Sequence, residues 1–130
     1  MSMSNFLEEV IIDAVLMGQA WGIATNPTLT IALFQGDPGE GSPLNEVSGN
    51  GYARQSIAFT KSTTGGLVKA TNTADIEFPV ATGPWGADVT HFAIFADTDM
   101  VYAGELTPVQ NINTNGQLVI TAGTLEIIHD

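Results

Sequence analysis

Cysteine is absent from the 130 residues. That excludes disulfide staples, a thiolate zinc site and a thiol nucleophile. Positive charge is nearly as scarce: Arg54, Lys61 and Lys69 stand against 14 acidic residues, for a net charge of -11. A phosphate backbone or an anionic membrane surface meets repulsion from such a chain, so neither nucleic acid nor membrane is expected as a partner. Charge of either sign is thin, at 13% of residues where a soluble domain carries about 25%. Two covers for the surface remain open: burial against neighbouring subunits, whose interface centres are poor in charge, or a skin of Thr, Asn, Gln and Ser. There is no long uninterrupted apolar run. Glu8, Glu9 and Asp13 break up the N-terminal apolar stretch and no basic residue precedes it, so neither a secretory signal nor a membrane span is expected. Heptad arrays, internal repeats and low-complexity tails are likewise missing.

What is present suits one domain over residues 1–130, long enough for a core and short for two. NFLEEVIIDAVLMGQAW, residues 5–21, predicts the one helix, with Asn5 as N-cap and Glu8 three positions on, close to a capping box and well placed for the helix dipole. Leu7, Val10, Ala14, Met17 and Trp21 recur at spacings of three and four, while Phe6, Ile11 and Val15 widen the stripe. Such a helix is greasier than one contact surface requires. It lies deep in its own domain or packs on both that domain and a partner, and Gly18 and Gly22 mark its end.

From residue 28 the texture changes to short β-branched and aromatic runs between Gly, Pro, Asn, Asp and Thr clusters. TLTIALF, YARQSIAFT, GLVKAT, ADIEFP, THFAIFA, MVYAGEL, QLVITA and TLEIIH each read as a strand. The fold class predicted is mainly β, an antiparallel β-sandwich of jelly-roll-like type with one N-terminal α-helix. In ADIEFP, Ile76 and Phe78 alternate with Asp75 and Glu77. In THFAIFA, Phe92, Ile94 and Phe95 fall on both faces, which predicts a central or interfacial strand.

Chemistry-bearing candidates are few. LFQGDPGEG, residues 33–41, holds three glycines, Pro38, Asp37 and Glu40. It lacks both the ligand alternation of a calcium loop and the GK[ST] continuation of a phosphate loop, and so reads as a turn. Asp97-Thr98-Asp99 suits a hairpin connection better than an ion site. His91 and His129 are the only imidazoles, with neither a G-x-S-x-G elbow nor an H-E-x-x-H pair to employ them. A carboxylate pair for glycoside cleavage is a three-dimensional matter. No enzyme, metal or cofactor is expected. Tyr52 in GNGYARQ and Trp85 in ATGPWGAD are large rings in glycine-rich settings, suited to core packing, an interface or a glycan.

Taken in order, SNFLEEVIIDAVLMG, IALFQGDPGE, EVSGNGYARQ with IAF, ADIEFPVATGPWGADVTHFAIF and TAGTLEI resemble a family of small tailed-bacteriophage proteins described as tail-fibre or virion structural proteins. The resemblance spans almost the whole chain. It implies a non-enzymatic homo-oligomer, a trimer, carried on the virion and assembled in the host bacterial cytoplasm, with other virion proteins such as major capsid or tail proteins as partners. A fibre shaft needs length, repeats or heptads that this chain lacks, which favours a compact appendage such as a capsid cement or decoration protein. Phe6, Leu7, Val10, Ile11, Trp21, Tyr52 and Trp85 are the expected interface residues. The alternative is a tail-fibre or tail-tip adhesin in which Trp85 and Tyr52 read host glycans.

Overall fold

The computed structural model describes residues 2–23 and 25–129. The chain opens with a two-residue strand, β1 (Ser2–Met3), then a helix, α1 (Asn5–Val15). The hydroxyl of Ser4 accepts from the Leu7 amide at 3.2 Å, so Ser4 and not Asn5 is the N-cap. The Asn5 amide instead donates to the Glu40 carbonyl at 2.9 Å, tying the helix start to the LFQGDPGEG loop.

The helix is also shorter than its apolar spacing predicts. It ends at Val15, short of Trp21. Gly18 takes a left-handed φ of 69°, and the chain folds back until the Gln19 amide reaches the Asp13 carbonyl at 2.9 Å. A glycine that closes a helix this way outweighs a hydrophobic period that would carry it on.

The strands that follow form three antiparallel sheets. β2 (Leu29–Phe34), β3 (Gln55–Ser56), β7 (Val89–Ala96) and β8 (Asp99–Gln110) join β1 in a five-stranded sheet ordered β1-β8-β7-β2-β3. β4 (Phe59–Thr64), β5 (Leu67–Asn72) and β10 (Glu126–His129) make a three-stranded sheet. β6 (Ile76–Glu77) pairs with β9 (Val119–Ile120). Mainly antiparallel β structure with a single N-terminal helix is what the residue pattern predicts.

β7 lies at the centre of its sheet, as apolar residues on both its faces require. Phe92 and Ile94 join the main core with Ile31, Leu33 and Phe78. Ala93 and Phe95 join a second cluster with Ala32, Phe34 and Met100 on the opposite face. YARQSIAFT, predicted as one strand, is two. Gln55–Ser56 pairs with β2, and beyond Ile57 the chain crosses to the other sheet, where Phe59–Thr64 pairs with β5. Gly65 and Gly66, at φ 60° and 82°, supply the two positive values a tight two-residue hairpin needs.

Candidate interaction site

Helical geometry sorts the residues of α1 at 100° per position. Leu7 and Val10 are buried, and Phe6 and Ile11 pack half-buried against the core. Four of the seven predicted interface residues thus face the chain's own interior to some degree, because the stripe at spacings of three and four is the one that seats the helix. The opposite side carries Ile12 and Leu16, 50% and 74% exposed, with Val15 beside them. Glu8, Glu9 and Asp13 flank this outward ridge and are exposed. Met17 and Trp21 continue the exposed apolar surface beyond the helix end. Sequence reasoning noticed the excess grease and missed Ile12 and Leu16 as its open part. Their spacing of four, half a turn from the Leu7-Val10 stripe, was the available signal.

Tyr52 and Trp85 are occupied by structure. Trp85 is buried, and its indole N–H donates to the Asn50 carbonyl at 3.1 Å. The Tyr52 ring stacks near Phe78, with centroids 6.3 Å apart, and meets Trp85 edge-on at 5.7 Å. Packing within the chain accounts for both rings, with Trp85 buried and Tyr52 half-buried. Gly51 shows how tightly this corner closes: at φ 85°, a Cβ there would sit 3.1 Å from the Val80 carbonyl oxygen.

The Tyr52 hydroxyl does the work of a missing strand partner. β3 pairs with β2 only at Thr30 and Ile31, and a lone bridge joins Phe34 to Glu46. Between them the Leu33 amide donates to Tyr52 Oη at 3.0 Å, and Tyr52 donates in turn to Glu46 Oε2 at 2.8 Å. Arg54 grips the same carboxylate through Nε at 2.8 Å and Nη2 at 2.7 Å, while its guanidinium lies 4.0 Å from the Phe95 ring centroid. Burial pushes the Tyr52 phenol well above its ordinary range. Burial also acts to raise the Glu46 carboxyl, but the hydrogen bonds from Arg54 and Tyr52, with the Arg54 charge, outweigh it and hold that group low. Tyr52→Phe strands the buried Leu33 amide, and unfolding in urea should show a loss of about 1–3 kcal/mol. A loss below about 0.5 kcal/mol, on the same reasoning, would mean that another acceptor replaces the phenol.

The remaining candidates resolve as turns and strand residues. Asp37 Oδ1 accepts from the Gly39 amide at 2.8 Å, closing its own loop. Asp97 Oδ1 accepts from the Thr28 amide at 3.0 Å beside the β7–β8 connection. His91 Nδ1 lies 2.8 Å from the Thr90 hydroxyl. The side chain of His129 lies outside the described residues. Among the described residues, no group of three His, Asp or Glu side chains is placed to hold a metal, and no helix is long and apolar enough to cross a membrane.

Between the five- and three-stranded sheets a cleft of about 290 Å³ is walled by Leu29, Phe59, Val68, Ile94, Tyr102 and Ile127. Lys61 and Lys69 line it too. The register puts the Lys61 side chain on the cleft side, opposite Ala70, and that of Lys69 on the other face, where it reaches Glu126 at 3.3 Å. Burial raises the Tyr102 phenol above its usual range.

A family model described as Podophage GP4 fiber I protein gp80 matches residues 2–128. No curated protein matches the chain.

Proposed function

We propose, for a chain that belongs to the Podophage GP4 fiber I protein gp80 family, a non-enzymatic role as a compact, self-associating block of the tail-fibre apparatus. Membership in a phage fibre family makes it a virion structural component. The finer reading is supported by one observation above all, the outward ridge of Ile12, Val15 and Leu16 on a helix whose other side already seats it.

Magnitudes favour adhesion through that ridge. Burying a fully exposed aliphatic side chain is worth about 1.5–3 kcal/mol, whereas an exposed ion pair contributes roughly 0–1 kcal/mol. On a surface this poor in charge, apolar burial supplies affinity and the carboxylates set orientation. The absence of repeats and heptads favours a globular unit mounted on or beside the fibre over the shaft itself.

The family description favours the tail over the capsid-cement role that compactness alone suggested. Electron cryo-microscopy of intact particles carrying this chain tests the choice. Density for the fold on the tail fibres is the expected result. Density repeated over the head lattice would overturn the fibre assignment and restore the decoration reading.

A further inference from the structure

Of the strands that end a sheet, β4 is the longest, six residues against four in β10 and two in β1, β3, β6 and β9. Proline and bulges, two devices that blunt such an edge, are absent: its register with β5 runs unbroken from Phe59 opposite Asn72 to Thr64 opposite Leu67. The hairpin fixes which backbone groups lie open. Thr64 and Leu67 flank the two-residue Gly65-Gly66 loop, so they close it as a hydrogen-bonded pair. In the same phase, the Ala58 carbonyl accepts from the Thr73 amide at 2.9 Å. Thr60 and Ser62 therefore bond to β5, while Phe59, Lys61 and Thr63 turn their N–H and C=O groups to the open side. Lys61, Ser62 and Thr63 are exposed.

We infer that β4 pairs antiparallel with β4 of a second copy of this chain about a two-fold axis, Ser62 facing Ser62 and Lys61 facing Thr63, so that two three-stranded sheets become one. The inference deepens the self-association proposed above and rests on it. It uses none of the ridge residues of α1.

Charge selects the occupant. At a net charge of -11, two copies repel, and the repulsion is least where acid is missing. Between Glu46 and Asp75 the sequence holds no Asp or Glu, and all three of its cations fall there. β4 lies inside that run, whereas β10, the other edge of its sheet, carries Glu126. A strand edge with open N–H and C=O groups accepts another strand, and the acid-free strand of a second copy is the one these anionic chains can bring closest. Lys61 then selects the register. Residues opposite one another share a face of the sheet, so slides come in steps of two residues. Lys61 against Lys61 is a like-charge pair and destabilising. A slide one way sets Thr63 beside Ile57, whose amide is already given to the Leu29 carbonyl at 3.2 Å where the chain crosses to the other sheet. The slide the other way sets Ser62 against Ser62, and the open groups of Lys61 and Thr63 satisfy each other.

The chain has no cysteine, so a single introduced thiol reports on this register alone. The full chain carrying Ser62→Cys, treated with oxidised glutathione, should form a covalent dimer, because the facing Cα atoms of a pair not hydrogen-bonded to each other stand about 4.5 Å apart, within reach of a disulfide. Thr60→Cys, exposed on the same face, should not. Thr63→Pro removes an outward N–H from both copies and leaves the ladder to β5 intact. Sedimentation equilibrium should then show self-association at least about tenfold weaker than in wild type, with an unchanged circular dichroism spectrum. Wild type that associates while Ser62→Cys stays uncrosslinked would overturn the edge pairing and leave self-association standing. Crosslinking through Thr60→Cys in place of Ser62→Cys, or wild-type affinity in a folded Thr63→Pro variant, would overturn it equally. A wild type that stays a single chain would overturn self-association itself.

Discussion

Trp85→Ala should lower the unfolding free energy by about 3–5 kcal/mol, the range for deleting a buried aromatic. Trp85 is central to the loop half of the core. Its amide donates to the Ile112 carbonyl at 2.9 Å, its carbonyl accepts from Gln35 Nε2 at 2.6 Å, and its indole N–H reaches Asn50. One residue thus joins the segment after β2, the GNGYARQ turn and the stretch after β8. Alanine keeps both backbone bonds and removes the ring, so the loss measured is that of the cavity and of the edge contact with Tyr52. The Asn50 carbonyl still accepts from the Thr82 amide at 3.0 Å, and an orphaned acceptor adds little. Trp85→Phe, which keeps most of the volume, should therefore cost much less, about 1–2 kcal/mol. Urea unfolding followed by far-ultraviolet circular dichroism is the measurement. Fluorescence serves poorly, because Trp21 is 54% exposed and reports on solvent in both states. A midpoint shift with an unchanged slope assigns the loss to the native state. A loss under about 1 kcal/mol, far below the large-to-small range, would show that the loops fold independently of the sheets.

Strands whose burial follows the sequence pattern were legible, and those governed by the path of the chain were not. In ADIEFP the alternation held: Ile76 and Phe78 are buried and Glu77 is exposed. β7 proclaimed its central place by carrying Phe92 and Ile94 on one side and Phe95 on the other. YARQSIAFT gave no warning of its change of sheet, because a strand that crosses between layers keeps its hydrophobic residues and alters only its partner. β1 was missed for a related reason. Ser2–Met3 pairs with Ala103 and Tyr102, and two residues carry no period. The helix was overextended because Met17 and Trp21 stay in phase after Gly18 has turned the backbone away.

The candidate site divides along the same line. Excess apolar surface on the helix was visible as composition, but which residues face outward depends on where the helix sits. Leu7 and Val10 stand out as anchors because they are the most regular, and regularity is what a seated face requires. Tyr52 and Trp85 were recognised as large rings in tight turns, and the tightness is real. Their hydrogen bonds, Tyr52 to the Leu33 amide and Trp85 to the Asn50 carbonyl, join segments too distant in sequence for any local pattern to reveal. Lys61 and Lys69 are alike as scarce charge in the sequence, and only the pairing of β4 with β5 separates them onto opposite faces of their sheet.

Asn72 makes the second large prediction, and its substitutions separate hydrogen bonding from packing. It is 2% exposed at the end of β5. Its Nδ2 donates to the carbonyls of Ala74 at 3.1 Å and Thr121 at 3.0 Å, and its Oδ1 accepts from the Leu125 amide at 2.9 Å. The Thr121 carbonyl retains Thr124 as a donor, so its loss is small. The Leu125 amide and the Ala74 carbonyl lose the side-chain partner described here. Leu125 is buried but Ala74 is exposed, so only the Leu125 amide is stranded away from water, and at about 1–3 kcal/mol for such a group Asn72→Ala should cost about 1–3 kcal/mol. Asn72→Asp supplies the sharper test. It keeps an acceptor for Leu125 but buries a carboxylate against two carbonyls, which raises its pKa above the unfolded value of about 3.9. A raised folded pKa means that the proton favours the folded state. Relative to wild type at each pH, the variant should be least impaired below about pH 4 and progressively worse as pH rises through the folded pKa. Urea midpoints for both proteins at several pH values decide the matter. A deficit independent of pH would show that the introduced carboxylate has swung out to solvent, and that β5 and the 121–125 turn are held by backbone pairing alone.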